Sequence, residues 1–244
     1  MLSPRIWGAY RAAPDRKIAV VVIHPTSNFL GHYILEPLAK RGVATLGLNT
    51  RYLGSDVTLI LERAIQDLGA GVRWLRDQGY ERIVLLGNSG GGALVSFYQA
   101  QAERLTVSQT PAGDPIDLSP SDLPPADTIA LSAAHLGRSR LMDTWIDPAV
   151  VDELDPFASD ESLDLFNPDN GPPFPAPFLD RFRTAQKARN RKIETWARAK
   201  LDQVRAIPDG PGDMAFIIYR TLADPRVLDL SIDPNDRQPG TIWG

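Results

Sequence analysis

Two kinds of apolar run alternate along the first 137 residues. "KIAVVVI", 17–23, is apolar almost without interruption and rich in β-branched residues. A run that short, with no polar alternation, predicts a strand buried on both faces. "VATLGLN" (43–49) and "RIVLLG" (82–87) repeat the pattern, and "DTIALSAAH" (127–135) gives a fourth strand after a Pro-rich connection. Between them the apolar residues recur every three or four positions. "FLGHYILEPLAKRG" (29–42) predicts a helix stopped by Gly42. "VTLILERAIQDLGAGVRWLRDQG" predicts a longer one, with Asp56 as its N-cap and Gly79 just past its end. Residues 90–103 predict a third helix. Strands alternating with helices imply the α/β class: a mostly parallel, doubly wound sheet with helices on both faces.

Beyond His135 the pattern changes. Residues 143–169 hold nine acidic residues and no Lys or Arg. The stiff connector "NGPPFPAP" follows, and then "FLDRFRTAQKARNRKIETWARAKLDQV" (178–204) reads as a long, mainly basic helix. "GDMAFIIYRTLAD" (212–224) is a short apolar segment, helix or strand, and residues 225–244 show no periodicity. The expected division is a core over 1–137 and a mainly helical lid or cap region over 138–244, which does not complete the core.

Composition narrows the chemistry. The chain has no cysteine, which excludes disulfides, thiolate metal sites and cysteine nucleophiles. A net charge of −4 gives no global sign of nucleic-acid binding. The acidic run lacks the spacing of a calcium loop and reads as a solvated face, against which the basic helix packs. No metal and no nucleic acid are therefore expected. No apolar run is long enough to span a bilayer, and the N-terminus has neither the basic nor the apolar region of a signal peptide. The expected location is cytoplasmic. No pattern encodes an oligomeric state.

The chemistry concentrates in "VLLGNSGGG", 84–92, where Gly87-Asn88-Ser89-Gly90-Gly91 matches G-x-S-x-G between a strand and a helix. A nucleophile on so sharp a turn needs unusual backbone angles and neighbours without side chains. The Gly90 N–H, opening the helix, can face a developing oxyanion. The competing reading is a glycine-rich turn with no chemistry. A phosphate loop fits less well, because no Lys follows the glycines.

With these residues the chain resembles the α/β-hydrolase superfamily over about residues 6–137. The carriers are "VVIHPTSN", "GNSGGG" and the helix "DLGAGVRWLRDQG" before the elbow strand. The resemblance implies hydrolysis of a small-molecule carboxylic ester through an acyl-enzyme on Ser89, without a cofactor. It places the 17–23 strand beside the elbow strand, with the 127–135 strand on the other side. His24, Ser89 and His135 then stand at the carboxyl ends of adjacent strands, where such sheets bind ligands. The family's second oxyanion donor follows the position of His24. Pro25 has no N–H, so Thr26 or Ser27 is the implied donor. His24, Asn88 and His135 are pocket candidates. The family's triad runs Ser, acid, His, yet the histidines are only His24, His32 and His135. His32 falls in a predicted helix, as a packing or surface residue. Two readings stay open: the sequence stops in the lid, before the strands that carry acid and base, or His135 is the base. The motif order favours the first. The alternative to an enzyme is a catalytically silent protein of this fold that binds a small apolar ligand or a partner.

Overall fold

A computed structural model of the chain describes residues 4–232. It divides into two compact units, 1–137 and 138–244.

The first unit is an α/β unit built on a mixed, mostly parallel five-stranded sheet. Its strands are β1 (Trp7–Arg11), β2 (Ile18–His24), β3 (Ala44–Asn49), β4 (Arg82–Asn88) and β5 (Thr128–Ser132), and its order is β1-β3-β2-β4-β5. Only β1 runs antiparallel to its neighbour. β2 lies beside β4, with β5 on the far side of β4, the order that the resemblance implies. Strand β1 was not anticipated.

The helices are α1 (Leu35–Ala39), α2 (Leu61–Asp77) and α3 (Gly90–Glu103). They explain why β2 is apolar from Ile18 to Ile23. Ala19, Val21 and Ile23 join one core with Ile65, Leu68 and Val72 of α2 and Leu94, Val95 and Tyr98 of α3. Val20 and Val22 join a smaller core with Phe29 and with Leu35 of α1. Each fully buried aliphatic side chain contributes about 1.5–3 kcal/mol relative to exposure, so the sheet is stabilised from both faces.

Two helices start later than the sequence predicts. Residues 28–34 form turns, because side chains there intercept the backbone donors: Asn49 accepts from the Phe29 N–H at 2.7 Å and Asn28 from the Leu30 N–H at 3.1 Å. His32 therefore lies in a turn, stacked between Phe29 and Tyr33 with centroids 4.6 and 4.4 Å away. Asp56 does not cap α2, whose N-cap is Ile60. Its carboxylate instead accepts from the Thr26 hydroxyl at 2.9 Å.

The second unit contains α4 (Arg138–Trp145), the hairpin β6 (Val150–Asp152) and β7 (Asp155–Ser159), the 30-residue α5 (Ala176–Arg205) and the short α6 (Pro225–Leu228). Phe174, Phe178 and Phe182 form its apolar core with Leu165 and Ala223. The basic helix does meet the acidic segment: Arg189 donates to both carboxylate oxygens of Glu153 at 2.7 Å. Buried Gln186 donates to the carbonyls of Thr144, Ile146 and Ala223. Residues 212–224 are neither helix nor strand but an irregular strap, bonded through Arg220 O to the Asp147 N–H and through the Ala223 N–H to Trp145 O. Among the described residues, no helix is long and apolar enough to cross a membrane. Residues 233–244 lie outside the description.

Candidate functional site

Ser89 has φ 67° and ψ −116° and joins β4 directly to α3. A serine there costs on the order of 1–3 kcal/mol, and it persists only where the surroundings over-determine it. Its N–H donates to Ser132 O at 3.0 Å, and its carbonyl accepts from the Gly92 N–H at 3.0 Å and the His135 N–H at 3.4 Å. The carboxyl end of β5 and the first turn of α3 thus hold the residue from both sides.

The neighbouring glycines have distinct reasons. A methyl group on Gly91 would lie 2.1 Å from the Ile23 carbonyl oxygen, so α3 crosses the end of β2 at backbone contact. One on Gly87 would lie 2.3 Å from the Gly91 carbonyl oxygen. At Gly90 the same methyl would meet side chains, His24 Nε2 at 3.0 Å and His135 Nε2 at 3.4 Å. Two imidazoles thus converge on the side-chain-free face of the residue after Ser89. Ser89, His24 and His135 are all half-buried, whereas Gly90 is buried.

The opposite nitrogen of each ring fixes what the convergent one can do. His24 Nδ1 accepts from the Thr26 N–H at 3.1 Å and the Ser27 N–H at 3.0 Å. His135 Nδ1 accepts from the Gly137 N–H at 3.1 Å. A neutral imidazole that accepts at Nδ1 carries its proton on Nε2. Both rings therefore present an Nε2–H donor toward Gly90. A general base in the Ser-His-Asp pattern has the reverse arrangement, with Nδ1–H held by a carboxylate and the Nε2 lone pair open to the hydroxyl.

The remaining expected residues sort as follows. The N–H groups of Thr26 and Ser27, which the resemblance offers as second oxyanion donors, are both directed to His24 Nδ1. The Asn88 side-chain amide donates to Ser132 O at 3.1 Å and so ties β4 to β5. His32 points its Nδ1 at the Ile34 N–H, and burial pushes its pKa below the ordinary histidine value. Asp143 and Asp147 lie in the second unit, where Asp147 pairs with Arg220 at 2.6 Å and Asp143 accepts from Asn190. Among the described residues, no group of three or more His, Asp or Glu is arranged to hold a metal ion.

The sequence reading missed the residues that set the loop after β2. Thr50 donates its hydroxyl to Pro25 O at 2.5 Å, and the Gly54 N–H donates to Thr26 O at 2.8 Å. Asp56 holds the Thr26 hydroxyl, and Asn49, which receives the Phe29 N–H, donates to Asn28 at 3.0 Å. One signal was readable: the polar residues Asn49 and Thr50 close the buried run of β3 and are themselves buried. Comparison with known proteins finds no family model that matches this chain, and no curated protein that matches it.

Proposed function

We propose that the first unit is a serine hydrolase domain of the α/β-hydrolase type, acting on a small carboxylic ester through Ser89. The observation that carries the reading is the backbone of Ser89, a positive-φ serine where a central parallel strand enters a helix. Its hydroxyl stands at the carboxyl end of the sheet, where open α/β sheets take ligands. In the reaction the Ser89 oxygen bonds to the carbonyl carbon, and the carbonyl π pair moves onto its oxygen. The hydroxyl proton passes to water; the π bond then re-forms as the ester C–O bond breaks, and the departing alkoxide takes a proton from water. A second water then cleaves the acyl-enzyme. The Gly90 N–H is the proposed backbone donor to the oxyanion. Serine without an adjacent base is a weak nucleophile, and among the described residues neither imidazole near Ser89 has the arrangement of one, so slow turnover of activated esters is the expected activity of this chain. An oxyanion hole and binding alone leave roughly 1,000- to 10,000-fold acceleration over water.

The Nε2–H tautomer of both rings favours a second reading, a ligand-binding protein with the same fold and no turnover. A fluorophosphonate probe separates the two. Labelling of the wild-type chain that disappears in Ser89→Ala supports the hydrolase. An unlabelled wild-type chain sinks that reading and leaves the binding protein.

A further inference from the structure

We infer that His24 and His135 serve the Ser89 site as a pair of Nε2–H donors that hold a negatively charged oxygen of the ligand, and that neither ring is a base. The inference deepens the proposed function and, for its kinetic arm, rests on it. Three observations lead here. The two Nε2 atoms lie 3.0 and 3.4 Å from one point beside Gly90, next to the strained serine. Each ring has its Nδ1 engaged by backbone N–H groups, two at His24 and one at His135. His24 ends β2 and His135 lies in the loop three residues past the end of β5, and these two strands flank β4, so the elbow lies between them.

The physical consequence is directional. Two N–H groups donating to His24 Nδ1 draw electron density from the ring and polarise its far N–H, as members of a hydrogen-bond chain strengthen one another. Thr26 and Ser27 thus act as positioning residues through the ring. Their partial positive charge reaches the site at Nε2, which gives Pro25, with no N–H of its own, no role as a donor. The ligand class that fits is an oxygen anion beside the reacting carbon. For an ester this is the oxyanion of the tetrahedral intermediate, and for the hydrolysis product it is the carboxylate. A divalent metal does not fit, because Nε2 offers a proton where a metal needs a lone pair.

Two arms test the pair. In the first, Ser89→Ala protein, which cannot react, is ¹⁵N-labelled at histidine and titrated with butyrate. The expected result is the Nε2–H tautomer at His24 and His135, with both Nε2–H resonances moving on saturation while His32 stays still. An Nδ1–H tautomer at either ring, or a titration that leaves both unmoved, overturns the inference whatever the activity. In the second, the rate of fluorophosphonate labelling is compared in glutamine and phenylalanine variants. Gln retains a side-chain N–H and Phe has none. His24→Gln and His135→Gln are expected within tenfold of wild type. His24→Phe and His135→Phe are expected to lose on the order of 100- to 1,000-fold, the usual effect of one lost oxyanion donor. Equal, near-total loss in His135→Gln and His135→Phe identifies His135 as a base and overturns the inference. An unlabelled wild-type chain that still shows the butyrate shifts removes the hydrolase reading and leaves the donor pair standing.

Discussion

Gly91 and Gly90 are adjacent, yet an added methyl group has different consequences at each. At Gly91 it would lie 2.1 Å from the Ile23 oxygen, 3.1 Å from the Ile23 carbonyl carbon and 3.4 Å from His24 Cα. All three atoms are backbone of β2, which is bonded to β3 on one side and β4 on the other. Non-bonded carbons prefer separations of about 3.5 Å, so the helix must retreat by about 1 Å. Overpacking of a core costs about 1–3 kcal/mol, occasionally more; a backbone obstacle that cannot rotate away puts Gly91→Ala at about 3 kcal/mol. With a urea slope of about 1–3 kcal/mol per molar, the unfolding midpoint of the first unit falls by about 1 M or more. At Gly90 the methyl meets side-chain atoms that can yield, so Gly90→Ala costs under about 1 kcal/mol. It occupies the space between the two rings, however, and fluorophosphonate labelling slows by at least about tenfold. Hydrogen exchange of the 18–24 and 82–88 peptides reports stability, and labelling rate reports the site. Equal midpoints for the two variants, or a stable and fully reactive Gly90→Ala, would refute the reasoning.

Three further outcomes are expected. Ser89→Gly removes the strain of a positive-φ serine and raises stability by about 1 kcal/mol while abolishing labelling; a lower urea midpoint counts against the strain. In the second unit Asp224 is buried and bonds Arg226 and Arg183. Burial alone would raise its pKa, but the Arg226 hydrogen bond and the charges of Arg183 and Arg226 hold it below the ordinary carboxylate value. Its stabilisation is therefore present above the unfolded-state pKa, about 3.9, and is lost as pH falls through the lower folded value. Asp224→Asn leaves two arginines uncompensated and costs about 3–5 kcal/mol at pH 7, with a shallower acid limb in thermal melts; an unchanged melt at pH 7 rejects the assignment. Tyr98 donates its hydroxyl to Pro124 O at 2.5 Å, and burial pushes its pKa up. Tyr98→Phe strands that carbonyl and costs about 1–3 kcal/mol, read as a midpoint shift in urea; no shift shows that water replaces the hydroxyl.

The strands and the elbow were legible because their signals are local. An unbroken β-branched run can be buried on both faces only in the middle of a sheet, and β2 is there. The helix over 90–103 was bounded correctly because its first residue follows a turn that only small residues close. The start of α1 was misread because Asn28 and Asn49, 21 positions apart, join across the fold and take the donors a helix would have used. Asp56 was misread for the same reason: a capping residue by pattern, it is claimed by Thr26. At the candidate site the motif spacing singled out Ser89 and Gly90, whereas the grouping of His24 and His135 with them came from the resemblance; the structure does place both imidazoles beside Gly90. Which nitrogen of each ring faces the serine depends on loop conformation, and residue spacing does not carry that information.

The loop after β2 shows why this matters for chemistry. A residue with an N–H at position 25 would offer a backbone donor directly behind the strand end. Pro25 offers none, and its carbonyl is held by Thr50. The next two N–H groups turn instead onto His24 Nδ1. The polarity that the loop cannot deliver from its backbone is delivered one ring further on, at Nε2, 3.0 Å from a methyl position on Gly90. Pro25 and His24 are then two halves of one arrangement, with Thr50 holding the Pro25 carbonyl and Asp56 the Thr26 hydroxyl. Removing the Thr26 brace should therefore harm the site through the ring. Asp56→Ala frees the Thr26 hydroxyl and lets the 25–28 turn move, so labelling of Ser89 should slow by about tenfold. Hydrogen exchange in the 82–88 peptide should stay at the wild-type level. Slower labelling together with lost protection of β4 would instead mark Asp56 as a residue of general stability.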